Sequence, residues 1–152
     1  MVKITSLVEN TSLCGCKTAH GLSLYIETSR HKILFDVGGD DTFILNSKKL
    51  GVDLSAVDII IISHGHRDHG GALGMALDLN DSAKVYIQRQ AFAPHFSHRA
   101  TGVGDIGLDT NLMNCDRVVL LTGEFDIDEE LSLFKVADSS VCRSGANGSL
   151  YE

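Results

Sequence analysis

The chain has 152 residues, of which 43% are hydrophobic and 22% charged, as expected of one soluble globular domain with its own core. Its net charge of −7 and the lack of a basic cluster exclude a general affinity for nucleic acid. No apolar run approaches the ~20 residues that span a membrane, and the N-terminus lacks the regions of a signal peptide. We therefore expect a cytoplasmic protein that acts on a small molecule, without a nucleic-acid or membrane partner.

The first 37 residues predict three strands. Weak alternation and β-branched residues indicate a strand over 3–8, which a polar loop over 10–20 follows. Alternating apolar residues indicate a strand over 21–28 with one buried face. A short turn leads to another strand over 32–37, so these two strands are expected to form a hairpin.

A helix and a buried strand follow. Asp40 or Asp41 can cap the helix, because a carboxylate accepts hydrogen bonds from the free N–H groups of the first turn. Gly51 is typical of the residue at which a helix stops. The apolar, β-branched run over 58–62 is the pattern of a strand covered on both faces.

The rest of the chain predicts one more helix, over 72–79, and a series of strands. Residues 90–116 show no clear pattern, and the polar segment 139–152 is interpreted as a loop or frayed tail. The order of the elements indicates a mixed α/β (α+β) class, in which helices cover a sheet. The later strands are expected at 84–88, 117–121, 124–127 and 131–136.

The four cysteines are expected to be reduced, because disulfides are rare without a secretion signal. Cys14 and Cys16 are two positions apart, a spacing that could bind a metal ion, but no second closely spaced pair accompanies them. We interpret them as thiols of a polar loop. The other two are Cys115 and Cys142.

Three histidines and an aspartate lie within six residues directly after the buried strand: His64, His66, Asp68 and His69. Histidine offers a neutral nitrogen to zinc or iron, and aspartate offers a hard oxygen. His64 and His66 are two apart, so an extended backbone places them on one side. Asp68 and His69 come after the turn and can face a second position. The alternative is a solvated turn, or a single adventitious nickel or zinc site.

The spacing His-x-His-x-Asp-His after an apolar strand resembles the signature of the metallo-β-lactamase superfamily. Together with His20-Gly21-Leu22-Ser23 and Leu34-Phe35-Asp36-Val37-Gly38, it resembles a subgroup named dihydropterin ribofuranosyl-aminobenzene phosphate synthase. The resemblance implies half of the αββα metallo-β-lactamase sandwich, a mixed sheet with helices on one face. Residues 1–152 would then be a single domain that lacks the C-terminal half.

The resemblance assigns His64 and His66 to a first metal ion, and Asp68 and His69 to a second. The two ions are expected to be zinc, with iron or manganese as alternatives. A bridging water, deprotonated by the paired charges, would be the nucleophile. Asp68 would also orient this water, which makes it the candidate catalytic residue. The implied activity is hydrolysis of a small ester, phosphoester or amide.

Two more residues are expected near the site. Asp36, at the end of a strand, would hold a ligand histidine from behind, or would be an ordinary turn residue. His20 would border the site, or would be a plain loop histidine.

The family site needs more ligands than these four, and after His69 the sequence has only His95 and His98. We interpret both as surface or substrate-loop residues rather than ligands. A single half leaves one sheet face exposed, which favours a homodimer or pairing with a missing C-terminal half. A fragment of a longer parent is the preferred explanation, with a split gene product or a degenerate relative as alternatives.

Two other functions stay open. One is an iron-dependent redox relative, because the fold alone does not separate it from a hydrolase. The other is an inactive or partial metal-binding fragment, which the lack of later ligands supports.

Overall fold

A six-stranded mixed sheet forms the centre of the structure, a computed structural model that describes residues 1–100, 102–135 and 150–151. The first three strands are antiparallel, and the last four run parallel to one another. In spatial order the strands are β1 (Lys3–Val8), β2 (Ser23–Glu27), β3 (Lys32–Phe35), β4 (Ile59–Ile62), β5 (Lys84–Gln88) and β8 (Val118–Leu121).

The other elements are short. The helices are α1 (Thr42–Leu50), α2 (Arg67–Gly70) and α3 (Leu73–Leu79), and 3₁₀ turns lie at Leu54–Ala56, Arg89–Phe92 and Thr110–Asn114. A small sheet holds β6 (Phe96–Arg99) between β7 (Gly102–Asp105) and β11 (Leu150–Tyr151), and β9 (Phe125–Asp126) pairs with β10 (Ser132–Leu133). No helix in the described ranges is long and apolar enough to cross a membrane.

The predicted strands and helices of the first 88 residues are confirmed, with bounds that differ by one or two residues. The expected hairpin is β2–β3, and α1 ends at Gly51, which has the left-handed φ of 70°. Asp41 takes the N-cap position, but its side chain makes no capping hydrogen bond to the helix, while Asp40 accepts from the Thr42 N–H at 2.9 Å.

One expectation about the second half is corrected. For residues 90–116 the sequence made no assignment, and the structure places β6, β7 and the 3₁₀ turn Thr110–Asn114 there, elements too short to show a periodicity. The interpretation of 139–152 as a loop is wrong for Leu150–Tyr151, which pairs with β6. The rest of that segment lies outside the described residues.

The helices pack on only one of the two faces of the sheet. Leu34, Ile60 and Val85 are cross-strand neighbours that pack in the core with Phe43 of α1 and Leu73 of α3. All five are at most 2% exposed. The helices therefore cover one face, as expected for a half-sandwich.

The opposite face is only half covered. Its neighbouring residues Phe35, Ile61 and Tyr86 line an open depression of about 650 Å³. Phe134 lies at its rim and is 75% exposed. Apolar surface of this kind favours a further layer of protein above it.

His31, in the β2–β3 turn, ties this hairpin to the segment around β9 and β10. Its Nδ1 lies 2.6 Å from Asp58 Oδ2 and its Nε2 lies 2.9 Å from Asp128 Oδ2. The bonds to Asp128 and Asp58 raise the pKa of His31 above 6.5, and the bond from His31 lowers the pKa of Asp128 to about 2.

We predict that His31→Gln lowers the free energy of unfolding most between about pH 4 and pH 6.5. A raised histidine pKa stabilises the fold fully below its unfolded value, and this contribution is lost as the pH rises through the folded pKa. The lowered pKa of Asp128 contributes to the stability of the fold above about pH 4, and this contribution is lost as the pH falls toward 2. Urea unfolding at pH 5.5 and 8.5 measures the difference, and an equal loss at both values would contradict the assignment.

Candidate metal centre

The candidate site lies at the carboxyl ends of two neighbouring parallel strands. Phe35 of β3 pairs with Ile61 of β4. Asp36 follows β3 and Ser63 follows β4, so the two loops begin side by side at one edge of the sheet. Ligand-binding residues commonly lie at this edge in parallel sheets.

Asp36 is fully buried, and its carboxylate accepts three hydrogen bonds. Its Oδ1 accepts from the Ser63 backbone N–H at 2.8 Å, and its Oδ2 accepts from Ser63 Oγ at 2.7 Å and from His69 Nδ1 at 2.8 Å. A buried carboxylate is stable only when its lone pairs are satisfied in this way. One side chain therefore joins the end of β3 to both ends of the histidine loop.

The backbone at Asp36 is also unusual. Its φ of 56° is the one positive value among the non-glycine residues that the structure describes. Aspartate tolerates this left-handed conformation better than most residues. The Asp36 N–H donates to Ile61 O at 2.8 Å, and its carbonyl accepts from Ser23 Oγ at 2.9 Å, so both neighbouring strands hold the turn.

The network fixes the protons of two imidazoles. Ser63 Oγ donates its one proton to Asp36, so it accepts from His64 Nδ1, which lies 2.8 Å away. His69 Nδ1 likewise carries a proton toward Asp36. In their neutral forms both rings keep the lone pair on Nε2, the atom that remains for a metal ion.

The side chains of the loop are close together. The ring centroid of His64 lies 4.6 Å from that of His66 and 4.2 Å from that of His69. Asp68 Oδ2 lies 3.6 Å from His69 Nε2 and 3.3 Å from His20 Nε2. The predicted loop residues and His20 thus form one cluster.

The environment separates the pKa values of two of these histidines. Burial lowers the pKa of His64 to about 4, and the neighbouring His69 and His66 rings act in the same direction. The hydrogen bond to Asp36 raises the pKa of His69. His64 is therefore neutral at pH 7, which is the form that binds metal.

The donor set of this cluster fits a divalent cation in chemical type, with imidazole nitrogens and one carboxylate. As the side chains stand, no three His, Cys, Asp or Glu residues of the described ranges converge on a point that could hold a metal ion. The side chains would have to rotate before they could share an ion. The metal-binding roles of His64, His66, Asp68 and His69 therefore remain predictions.

The later histidines separate into one buried and one exposed residue. His95 is 6% exposed, so the surface alternative is wrong for it, while the substrate-loop alternative stays a prediction. Its ring centroid lies 5.2 Å from that of His66, and its Nδ1 lies 2.6 Å from Ala93 O. His98 is exposed, on β6. The segment after the 3₁₀ turn Arg89–Phe92 passes close to the histidine loop, since the His95 ring also lies against Gly65.

Sequence reasoning missed two residues that support the cluster. Ser63 connects Asp36 to His64, and Asn10 Oδ1 lies 3.1 Å from His20 Nδ1. The only signal for Ser63 was a hydroxyl residue between a buried strand and the first histidine. Asn10 gave none, because it is one of several polar residues of the β1–β2 loop and has no motif around it.

Two glycines allow the backbone to pass beside the cluster. A Cβ on Gly65 would lie 2.1 Å from Ala91 O and 2.4 Å from His95 Cε1. A Cβ on Gly21, which has a φ of +121°, would lie 1.9 Å from Asp68 O. Only glycine fits at these approaches.

The chain belongs to the metallo-beta-lactamase superfamily, whose family model matches residues 18–138. The match covers most of the chain and includes the histidine loop. This confirms the resemblance to the family and the fold class that it implied.

The chain covers half or less of the length of each of three similar proteins. An uncharacterized protein of Methanocaldococcus jannaschii is 31% identical over 132 residues, 86% of this chain and 48% of that protein. From the same organism, 7,8-dihydropterin-6-methyl-4-(beta-D-ribofuranosyl)-aminobenzene-5'-phosphate synthase is 32% identical over 84 residues, 51% of this chain and 29% of that protein. The crystal structure of Tm1679, a metal-dependent hydrolase of the beta-lactamase superfamily, has a TM-score of 0.70 at 28% identity, covering 88% and 48% of the two chains.

We predict that Gly65→Ala destabilises the fold by about 2–3 kcal/mol, because the added methyl group overlaps backbone that cannot move freely. Gly74→Ala is the matched control. Its Cβ meets nothing within 4 Å in helix α3, so it should stabilise by about 0.5–1 kcal/mol. Chemical denaturation measures both. Similar small effects of the two changes would show that the loop does not need the close approach at Gly65.

Proposed function

We propose that this chain is the metal-binding part of a metal-dependent hydrolase that acts on a small ester, phosphoester or amide. The observation that carries the proposal is the buried Asp36 carboxylate, which orients His69 directly and His64 through Ser63. A carboxylate behind a histidine is the usual support of a metal-binding imidazole. Membership of the metallo-beta-lactamase superfamily adds to this support.

The proposed ligands are His64 and His66 for one ion, and Asp68 and His69 for a second. Zinc is the preferred ion, with iron or manganese as alternatives. When bound, such ions supply a water whose pKa is near neutral and a positive charge that polarises the scissile bond.

The chain's own residues have separate roles in this proposal. Asp36 and Ser63 keep the protons of His69 and His64 on Nδ1. Asp68 would accept or orient the proton of the attacking water, which requires an exposed oxygen. Its side chain is 28% exposed and its Oδ2 lies within 3.6 Å of two imidazoles.

The site is proposed to be completed from outside the described residues. The chain spans about half or less of the relatives that it matches. The half-covered sheet face with Phe35, Ile61 and Tyr86 offers a surface for the remaining layer. Either a C-terminal half or a second copy of the chain would supply both this layer and the further ligands.

Hydrolysis is preferred over iron-dependent redox chemistry because Tm1679, which matches over 88% of this chain, is described as a metal-dependent hydrolase. The dihydropterin-named relative matches only about half of the chain. Its reaction is therefore not carried over.

We predict that the purified chain binds Zn²⁺ through the histidine loop. Loss of an outer partner of a ligand histidine costs about 10–100-fold in affinity. Asp36→Asn should therefore weaken binding by about 10-fold or more. His64→Ala and His66→Ala each remove a proposed ligand itself and should weaken binding by about 100-fold or more. Isothermal titration at pH 8 measures this. His31→Gln is the control, because His31 lies at the opposite end of β3; unchanged affinity in the loop variants would refute the assignment.

We predict that Asp68→Asn lowers kcat/KM for a chromogenic phosphoester by about 100-fold or more in a protein that contains the completed site. This is the usual range for loss of a positioned proton acceptor. The variant should keep its circular dichroism spectrum.

Oxygen consumption by the iron-loaded protein, without ester cleavage by the zinc-loaded protein, would favour the redox alternative.

A further inference from the structure

The loop between β1 and β2 carries two thiols in contact. Cys14 Sγ lies 3.2 Å from Cys16 Sγ, and Cys14 is exposed. Gly15 between them has a φ of +70°, a left-handed turn that brings the two side chains to the same side. The Cys16 N–H donates to Ser12 Oγ at 3.0 Å, and Lys49 Nζ donates to Gly15 O at 2.5 Å, so the turn is held from both ends.

The two thiols differ in acidity. The hydrogen bond with Ser12, and then that with Cys16, lowers the pKa of Cys14 to about 7, while the bond to Cys14 raises the pKa of Cys16. The other charged side chains that line the depression around the pair are Glu9 and Lys17. A thiol that is half ionised near pH 7 and open to solvent has the properties of an attacking nucleophile.

A thiolate metal site is the competing explanation, and the surroundings of the pair argue against it. Structural zinc sites use four ligands. In the described part of the chain no third His, Cys, Asp or Glu joins this pair to form a group that could hold a metal ion. Two adjacent thiols without further donors match a dithiol–disulfide pair better.

We propose that Cys14 and Cys16 form a redox-active dithiol that exchanges with small disulfides. The Cys14 thiolate attacks one sulfur of a small disulfide RS–SR, forms a mixed disulfide and releases RS⁻. Cys16 then gives its proton to the first RS⁻ through solvent and attacks Cys14 Sγ, which closes the Cys14–Cys16 bond and releases the second RS⁻. The net reaction oxidises two protein thiols and reduces one small disulfide to two thiols.

The dithiol lies on the same loop as part of the candidate metal centre. Asn10 precedes it and contacts His20, whose Nε2 lies 3.3 Å from Asp68 Oδ2. Lys17 N–H donates to Asn46 Oδ1 at 2.9 Å and fixes the loop on α1 just after the pair. The dithiol itself is independent of the proposed hydrolase activity, and so is its test.

The test uses the full chain with Cys115→Ser and Cys142→Ser, which leaves only the pair. Oxidised glutathione at pH 7.5 should remove both alkylatable thiols and lower the intact mass by two hydrogen atoms, without a stable glutathione adduct. Adding Cys16→Ser should stop the reaction at one glutathione bound to Cys14. Circular dichroism checks that each variant is folded.

The pH dependence of the alkylation rate is a second readout. In the unmodified chain, the alkylation rate of Cys14 should rise with a midpoint near pH 7, whereas an unperturbed thiol has its midpoint near about 8.5. The proposal is overturned if both thiols stay alkylatable after glutathione treatment. It is also overturned if the adduct persists with Cys16 present, or if Cys16 rather than Cys14 forms the adduct.

Discussion

The candidate site depends on one buried carboxylate. Asp36 has no exposed surface, and its two oxygens accept from the Ser63 N–H, the Ser63 hydroxyl and His69 Nδ1. A buried carboxylate that loses such partners costs the fold several kcal/mol. The same three bonds therefore hold the strand ends together and fix two imidazoles, so that stability and site geometry rest on one interaction.

The parallel pairing of β3 and β4 explains why this interaction forms at all. Because Phe35 pairs with Ile61, the loops after β3 and β4 begin side by side, and the Asp36 carboxylate can accept hydrogen bonds from Ser63. The core behind them, built on Leu34, Ile60 and the helix residue Phe43, fixes that pairing. The described residues cover only half of the opposite face, and the half-exposed apolar residues there are consistent with a chain that spans about half the length of its relatives.

Sequence patterns predicted the elements that have strong periodicity and the cluster that has an unusual composition. The run of isoleucines gave β4, and the histidine spacing gave the family, which the family model confirms. Short elements such as β6 and β7 have too few residues to show a period. The burial of His95 arises from its contact with His66, which is distant in sequence, and the contact of Asn10 with His20 closes an irregular loop, so no local pattern could reveal either.

We propose that divalent ions bind the histidine loop through the Nε2 atoms that Asp36 and Ser63 leave available. X-ray absorption at the zinc edge of the zinc-loaded chain distinguishes the possible ligands, because Zn–N distances of about 2.0–2.1 Å differ from Zn–S distances of about 2.3 Å. We expect nitrogen and oxygen neighbours with the outer-shell scattering of imidazole rings. A shell of sulfur at the longer distance would instead place the ion on Cys14 and Cys16 and would refute binding by the histidine loop.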